Sequence, residues 1–138
     1  MAPSERPGLE RVEHDGRTLA IVLRAGPGGP GVRFATSPDA PLQLGEIERP
    51  AGHVIQAHAH NLGKRVILET HEVLHVRSGV LQVDLYGAGS APVATRRLTE
   101  GDTILLMEGG HGFTFLTACR LLEVKQGPYL GTEDKTYL

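Results

Sequence analysis

The sequence predicts an all-β fold, a sandwich or barrel built as one domain. The chain has 138 residues, of which 40% are hydrophobic, and this is enough to close one core. Its 18 glycines and 9 prolines separate short segments that are rich in Val, Ile, Leu and Thr. These segments recur at short, regular spacing, which is typical of sandwiches and barrels.

Three strands are predicted before the histidine-rich part of the chain. They cover residues 17–24, 32–36 and 42–48, and the turn-forming run GPGGPG follows the first. The later predicted strands are 53–60, 66–68, 72–77, 80–86, 93–98, 103–107, 111–116 and 120–125. Tight turns are predicted at Ser78-Gly79, at Glu100-Gly101-Asp102 and at Glu108-Gly109-Gly110.

A single domain is expected over residues 9–130, between a flexible N-terminus at 1–8 and a C-terminal tail at 131–138. Both ends are polar or charged and short of apolar anchors. The sequence has no internal repeat that would suggest a second unit.

The composition excludes several partners. A formal charge of -2 provides no basic stripe for a phosphate backbone, so nucleic acid is not expected to bind. No segment approaches the roughly 20 apolar residues that span a bilayer, and no signal peptide is seen, so a cytoplasmic protein without membrane contact is expected. Cys119 is the only cysteine, which rules out an intrachain disulfide.

Two histidines, His58 and His60, stand two positions apart on the predicted strand 53–60. Side chains alternate between the faces of a strand, so both imidazoles are expected to point the same way. A buried imidazole needs a polar partner to offset its desolvation, and one shared metal ion supplies it for both. The pair therefore predicts a metal site, although such pairs also occur by chance on exposed strands.

The surrounding residues resemble the first motif of the cupin superfamily. Gly52, His58, His60, Glu72 and Gly79 give the spacing G-x5-H-x-H-x11-E-x6-G. The later run GDTILLMEGGH, residues 101–111, is similar to the second cupin motif, and GF follows it.

This resemblance implies a double-stranded β-helix, the jelly-roll barrel of cupins. It also implies that His58, His60, Glu72 and His111 converge on one divalent metal ion. Nitrogen and oxygen donors in this mixture suit Fe(II), Mn(II), Ni(II), Zn(II) or Cu(II), with Fe(II) favoured.

Two positions depart from the motifs. The gap between His60 and Glu72 is longer than the cupin pattern, so Glu69 and His71 compete with Glu72 for the ligand position. Strand parity allows either Glu69 and His71 or Glu72 to face inward, but not both. The seven-residue spacing from Glu72 to Gly79 matches the motif and favours Glu72. In the second motif, Met107 replaces the customary proline, and a tighter turn is expected before His111.

The chain is also similar, over residues 12–137, to a group of small bacterial cupins with little functional assignment. The similarity lies in an HNxxxR segment at 60–65, a TxEVL segment at 70–74, GGHGF at 109–113 and EVKQGPY at 123–129. Such proteins are often met near surface-polysaccharide genes, and this implies a sugar-like ligand.

Five polar residues are candidates for binding a small-molecule substrate. Gln56 shares strand parity with His58 and His60, and Arg65 lies in the loop that follows and could clamp a carboxylate or phosphate. Lys125, Gln126 and Tyr129 follow the last strand, and they are residue types that fix a ligand in an apolar pocket. Each also has a plain structural explanation, as a solvated loop residue, a core amide or a turn that seals the barrel end.

The first functional hypothesis is a non-haem Fe(II)-dependent oxygenase, because four protein ligands leave two positions of an octahedron open. A metal-dependent sugar isomerase, epimerase or lyase would use the same ligands. A non-catalytic module that binds a sugar or another small molecule is the alternative outside the enzymes. A homodimer is expected, since open sheet edges in small barrels often pair with a second copy.

Overall fold

The structure is a computed structural model, and it describes residues 7–138. These residues form ten β-strands and one short 3-10 turn, Gly131–Asp134. The strands are β1 (Leu9–His14), β2 (Arg17–Leu23), β3 (Gly31–Phe34), β4 (Gly45–Glu48), β5 (Glu72–Ser78), β6 (Leu81–Tyr86), β7 (Pro92–Leu98), β8 (Thr103–Leu106), β9 (Gly110–Phe115) and β10 (Arg120–Lys125). The prediction of an all-β fold is confirmed.

The strands form three antiparallel sheets. The largest has five strands in the order β1-β2-β8-β5-β10, and a second has three in the order β7-β6-β9. The hairpin β3-β4 forms the third. The sheets of the described residues stay open and do not close into a barrel, and both β10 and β9 are edge strands.

The main core lies between the five-stranded and the three-stranded sheet. Alternate residues of each strand point into it, as strand geometry requires. The inward residues of β5, β6 and β8 are buried: Leu74, Val76, Leu81, Val83, Leu85, Ile104 and Leu106. A smaller cluster covers the opposite face of the five-stranded sheet, where Ile21, Leu23 and Leu105 pack against Ala35, Leu42 and Leu44.

Most of the predicted strands are confirmed within one or two residues. The predicted strand 120–125 coincides with β10, and 42–48 is shortened to β4. Strand β1 was not predicted, because LERVEH carries only two aliphatic residues among charged ones. Its pairing with β2 places Val12 in the core and leaves the charged residues near the edge.

The predicted strands at 53–60 and 66–68 are wrong. Residues 53–68 have no regular secondary structure, and every residue from 47 to 70 is exposed. A strand needs a neighbouring backbone to satisfy its N–H and C=O groups, and the hydrogen bonds of this segment are local. His53 N donates to Pro50 O over 3.2 Å, and the His58 ring bonds the carbonyl of Gln56.

The two ends of the chain differ in what the structure describes. Residues 1–6 of the predicted flexible N-terminus lie outside the described residues. In the tail at 131–138, Asp134 lies 3.5 Å from Lys125 Nζ, and the side chain of Leu138 lies close to Gly110. No helix in residues 7–138 is long and apolar enough to cross a membrane.

Asp102 joins the turn between β7 and β8 to the end of β2 through its buried carboxylate. Oδ1 accepts a hydrogen bond from Ala25 N at 2.8 Å, after β2. Oδ2 accepts from Thr99 N at 2.8 Å and from Arg24 Nη1 at 3.2 Å. Burial opposes ionisation, but these hydrogen bonds outweigh it and hold the pKa of Asp102 below its usual value.

Replacing Asp102 by alanine is therefore expected to lower the free energy of unfolding by about 2–4 kcal/mol, because buried donors and the Arg24 charge lose their acceptor. Glu100→Ala, in the same turn but exposed, is the matched control and is expected to stay within about 0.5 kcal/mol of wild type. Urea denaturation of both variants measures the difference. Equal losses would show that the Asp102 hydrogen bonds contribute nothing specific.

Candidate metal centre

Glu72 is the first residue of β5 and lies on its inward face. It pairs with Leu106 of β8 across one side and with Lys125 of β10 across the other. Leu74 and Val76, which share its parity, are buried in the main core. The Glu72 side chain is only 14% exposed. The strand register therefore places this carboxylate between the two sheets.

His111 reaches the same place from the opposite sheet. In β9 it pairs with Leu85 of β6, and Phe113, two residues on, packs against the main core. The His111 ring lies 5.2 Å from the Phe113 ring, centroid to centroid. His111 Nε2 lies 3.3 Å from Glu72 Oε2. Glu72 and His111 are thus in contact, although they stand on different sheets.

Glu123 of β10 adds a second carboxylate to this pair. Its side chain hydrogen-bonds the Glu72 carboxylate, and this contact with a neighbouring anion raises the pKa of Glu123. The hydrogen bond from His111, opposed by burial and assisted by Glu123, lowers the pKa of Glu72. Two neighbouring carboxyls whose pKa values are shifted in opposite directions thus stand beside an imidazole.

Lys125 supplies a positive charge beside these carboxylates. Its Nζ lies 3.5 Å from Asp134 Oδ2 and 5.7 Å from the centre of the Tyr129 ring. Burial opposes its charge, while Asp134, Glu123 and Glu72 favour it and raise the pKa of Lys125. Two of the predicted substrate-binding residues, Lys125 and Tyr129, thus contact each other near Glu72.

His58 and His60 form a separate pair. Their ring centroids are 5.4 Å apart in an edge-to-face contact, so the two side chains do lie side by side. His58 Nδ1 lies 2.8 Å from the carbonyl oxygen of Gln56. Because a carbonyl only accepts, Nδ1 is the protonated nitrogen, and Nε2 keeps a lone pair for a ligand.

The two pairs are not combined into one cluster. Among residues 7–138, no group of three or more His, Cys, Asp or Glu side chains is arranged to hold a metal ion. His58 and His60 lie in the exposed segment 47–70, whereas Glu72 and His111 lie between the sheets. A carboxylate and an imidazole that converge from two strands are suitable first ligands for a divalent ion.

Glu69 and His71, the competing ligands, contact each other instead. His71 is 1% exposed, and its Nε2 lies 3.2 Å from Glu69 Oε2. Its backbone N–H donates to Gln126 Oε1 at 2.8 Å. The predicted substrate residue Gln126 therefore binds the backbone that enters β5. His71 Nδ1 and Gln126 Nε2 are buried without a partner in the described chain.

The other predicted residues lie elsewhere. Gln56 and Arg65 are both exposed within the segment 47–70. His75, predicted to face away from Glu72, bonds the hydroxyl of Thr103 at 2.9 Å. Glu123 was not predicted as part of the site. Strand parity could have indicated it, since Glu123 alternates with Lys125 and stands opposite Leu74 on the inward face.

Comparison with known proteins adds no relative. No family description, curated protein or solved structure matches this chain. The geometry of the site therefore carries the functional argument.

The opposite pKa shifts of Glu72 and Glu123 predict a pH-dependent stability. Because folding raises the pKa of Glu123, its contribution is complete below the unfolded pKa and is lost as the pH rises through the folded pKa. Glu72 has the opposite sign, since its pKa is lowered and its contribution is lost as the pH falls. Glu123→Gln is expected to remove the loss of stability at high pH and to keep the hydrogen bond to Glu72.

The measurement is the free energy of unfolding from about pH 4 to 7, by chemical denaturation without added metal. Glu100→Gln, on an exposed turn, is the control and should keep the wild-type profile. A Glu123→Gln profile that matches wild type would contradict the raised pKa of Glu123.

Proposed function

We propose that this protein is a metal-binding cupin, with a jelly-roll arrangement of its strands, that acts on a small molecule. The observation that carries the proposal is the 3.3 Å contact between Glu72 and His111. These residues are far apart in sequence, stand on opposite sheets and were selected by two separate motifs. Two open antiparallel sheets stacked over one core are compatible with a jelly roll.

The proposed ligands are His58, His60, Glu72 and His111, and the proposed ion is Fe(II), with Mn(II), Ni(II), Zn(II) or Cu(II) as alternatives. An ion at this position supplies either redox chemistry with O2 or Lewis-acid polarisation of a substrate carbonyl. We favour the first, an oxygenase.

The chain's own residues support such a site in three ways. The contact with His111 lowers the pKa of Glu72 and favours the ionised carboxylate that binds a cation. Phe113, packed against the main core, gives the site an apolar wall. Lys125 places a cation near the site, where it can orient an anionic group of a substrate.

A metal-dependent sugar isomerase, epimerase or lyase is the second proposal. The neighbouring carboxyls of Glu72 and Glu123 favour it, because two carboxyls whose pKa values are shifted in opposite directions can act as an acid and base pair. A binding module without catalysis would use the same pocket and leave the substrate unchanged.

Metal binding is tested by elemental analysis after reconstitution with each of Fe(II), Mn(II), Ni(II), Zn(II) and Cu(II). About one ion per chain is expected for wild type. Glu72→Ala and His58→Ala are each expected to weaken binding by more than about 100-fold, because each removes a ligand. His53→Ala, in the same exposed segment, is the matched control. Full binding by Glu72→Ala would refute the ligand set.

Nitric oxide tests whether the bound Fe(II) has the open coordination position that an oxygenase needs for O2. Anaerobic addition to the Fe(II)-loaded protein is expected to give the electron paramagnetic resonance signal of an iron–nitrosyl complex, because four protein ligands leave open positions. The His53→Ala protein should give the same signal. An Fe(II)-loaded protein without this signal would contradict the oxygenase.

A further inference from the structure

An exposed apolar segment without a partner lies between β4 and β5. We call residues 51–68 the arm. Its large aliphatic side chains are strongly exposed, with Leu62 fully exposed, Leu68 at 93% and Val54 at 81%. Val66 is 72% exposed as well. Long segments without secondary structure are uncommon in compact domains, and contiguous exposed apolar side chains mark interaction sites.

A receiving surface lies where both sheets end. Glu72 of β5 contacts His111 of β9, so β9 lies over β5. β10 is the next strand after β5, whereas the three-stranded sheet stops at β9. The inward face of β10 is consequently uncovered, and Glu123 is exposed although it alternates with Leu121, which packs on the core. One further strand beside β9 would cover it.

The charges of the arm and of this surface are complementary. The arm contains Lys64, Arg65 and three histidines, and it has no Asp or Glu. The surface presents the carboxyls of Glu72, Glu123 and Asp134 against a single lysine, Lys125. Opposite charges steer such a segment to such an edge and fix its register.

We propose that the arm of a second copy of this chain adds a strand to the open edge of β9, and that two copies exchange arms in this way. The arm of each chain leaves its own edge uncovered, with every residue from 47 to 70 exposed. A reciprocal exchange combines an 18-residue arm and a receiving edge from each chain, which matches the roughly 20–30 residues a side of a stable interface.

The exchange completes the proposed metal centre, and to this extent the inference rests on the proposed function. In an arm strand beside β9, His58 and His60 share one face because they are two positions apart. If this face of the arm strand points inward, His58 and His60 lie on the same side as His111 and Glu72. Each ion would then take His58 and His60 from one chain and Glu72 and His111 from its partner.

Assembly is measured first, by sedimentation velocity of the full chain without and with Fe(II) or Zn(II). A dimer is expected, and Leu62→Asp combined with Leu68→Asp is expected to convert it to monomer. Ile47→Asp, at a 63% exposed position on β4 outside the arm, is the matched control and should stay dimeric. A monomeric wild type, or a dimer that tolerates both arm substitutions, would overturn the inference.

The shared metal site is measured second, with a heterodimer of two variants that each lack half of the proposed ligands. One chain carries His58→Ala with His60→Ala, the other carries Glu72→Ala with His111→Ala, and each alone is expected to lose metal. The heterodimer, purified through two different tags, contains one complete set of ligands if the arms are exchanged. It should recover about half of the wild-type metal content.

The outcomes separate the two proposals. A heterodimer without metal, when wild type binds metal, would place all four ligands in one chain, which overturns the inference and leaves the proposed function intact. A wild type that dimerises through the arm and binds no metal would support arm exchange and refute the proposed function.

Discussion

The apolar layer between the five-stranded and the three-stranded sheet is the constraint on which the rest of the structure depends. Its members alternate along each strand, so the register of every strand is fixed by which residues must be buried. Burial of Leu74 and Val76 fixes the register of β5, and burial of Val83 and Leu85 fixes that of β6. With those registers set, Glu72 and His111 have only one side to which they can point. The candidate site is thus a consequence of core packing.

The polar cluster at the end of this layer is costly, because the largely buried Glu72 carboxylate is desolvated. The structure offsets the cost by pairing. His111 and Glu123 both interact with the Glu72 carboxylate, and Lys125 supplies a positive charge beside it. This pairing explains why an otherwise apolar layer ends in four ionisable groups.

The sequence predicted most of the fold, because alternating apolar residues and glycine turns are local signals. Ser78-Gly79 was predicted as a hairpin turn, and a turn is present: Gly79 has a φ of +94° with Ala118 O too close for any side chain. The hairpin itself is wrong, because β5 and β6 are not paired and belong to different sheets. Local signals failed for 53–60, whose apolar residues resemble a strand but find no backbone partner in the described chain. They also missed Glu123, since its role depends on a neighbour from β5.

The sequence by itself determined the fold class and most strand boundaries, because these follow from local periodicity. The four proposed ligands were selected by the resemblance to known motifs. Only the tertiary structure decided which ligands meet. It brought Glu72 and His111 within 3.3 Å by stacking two sheets, and it left His58 and His60 on an exposed segment. Contacts between residues distant in sequence depend on which strands find a neighbour, and no local pattern records that.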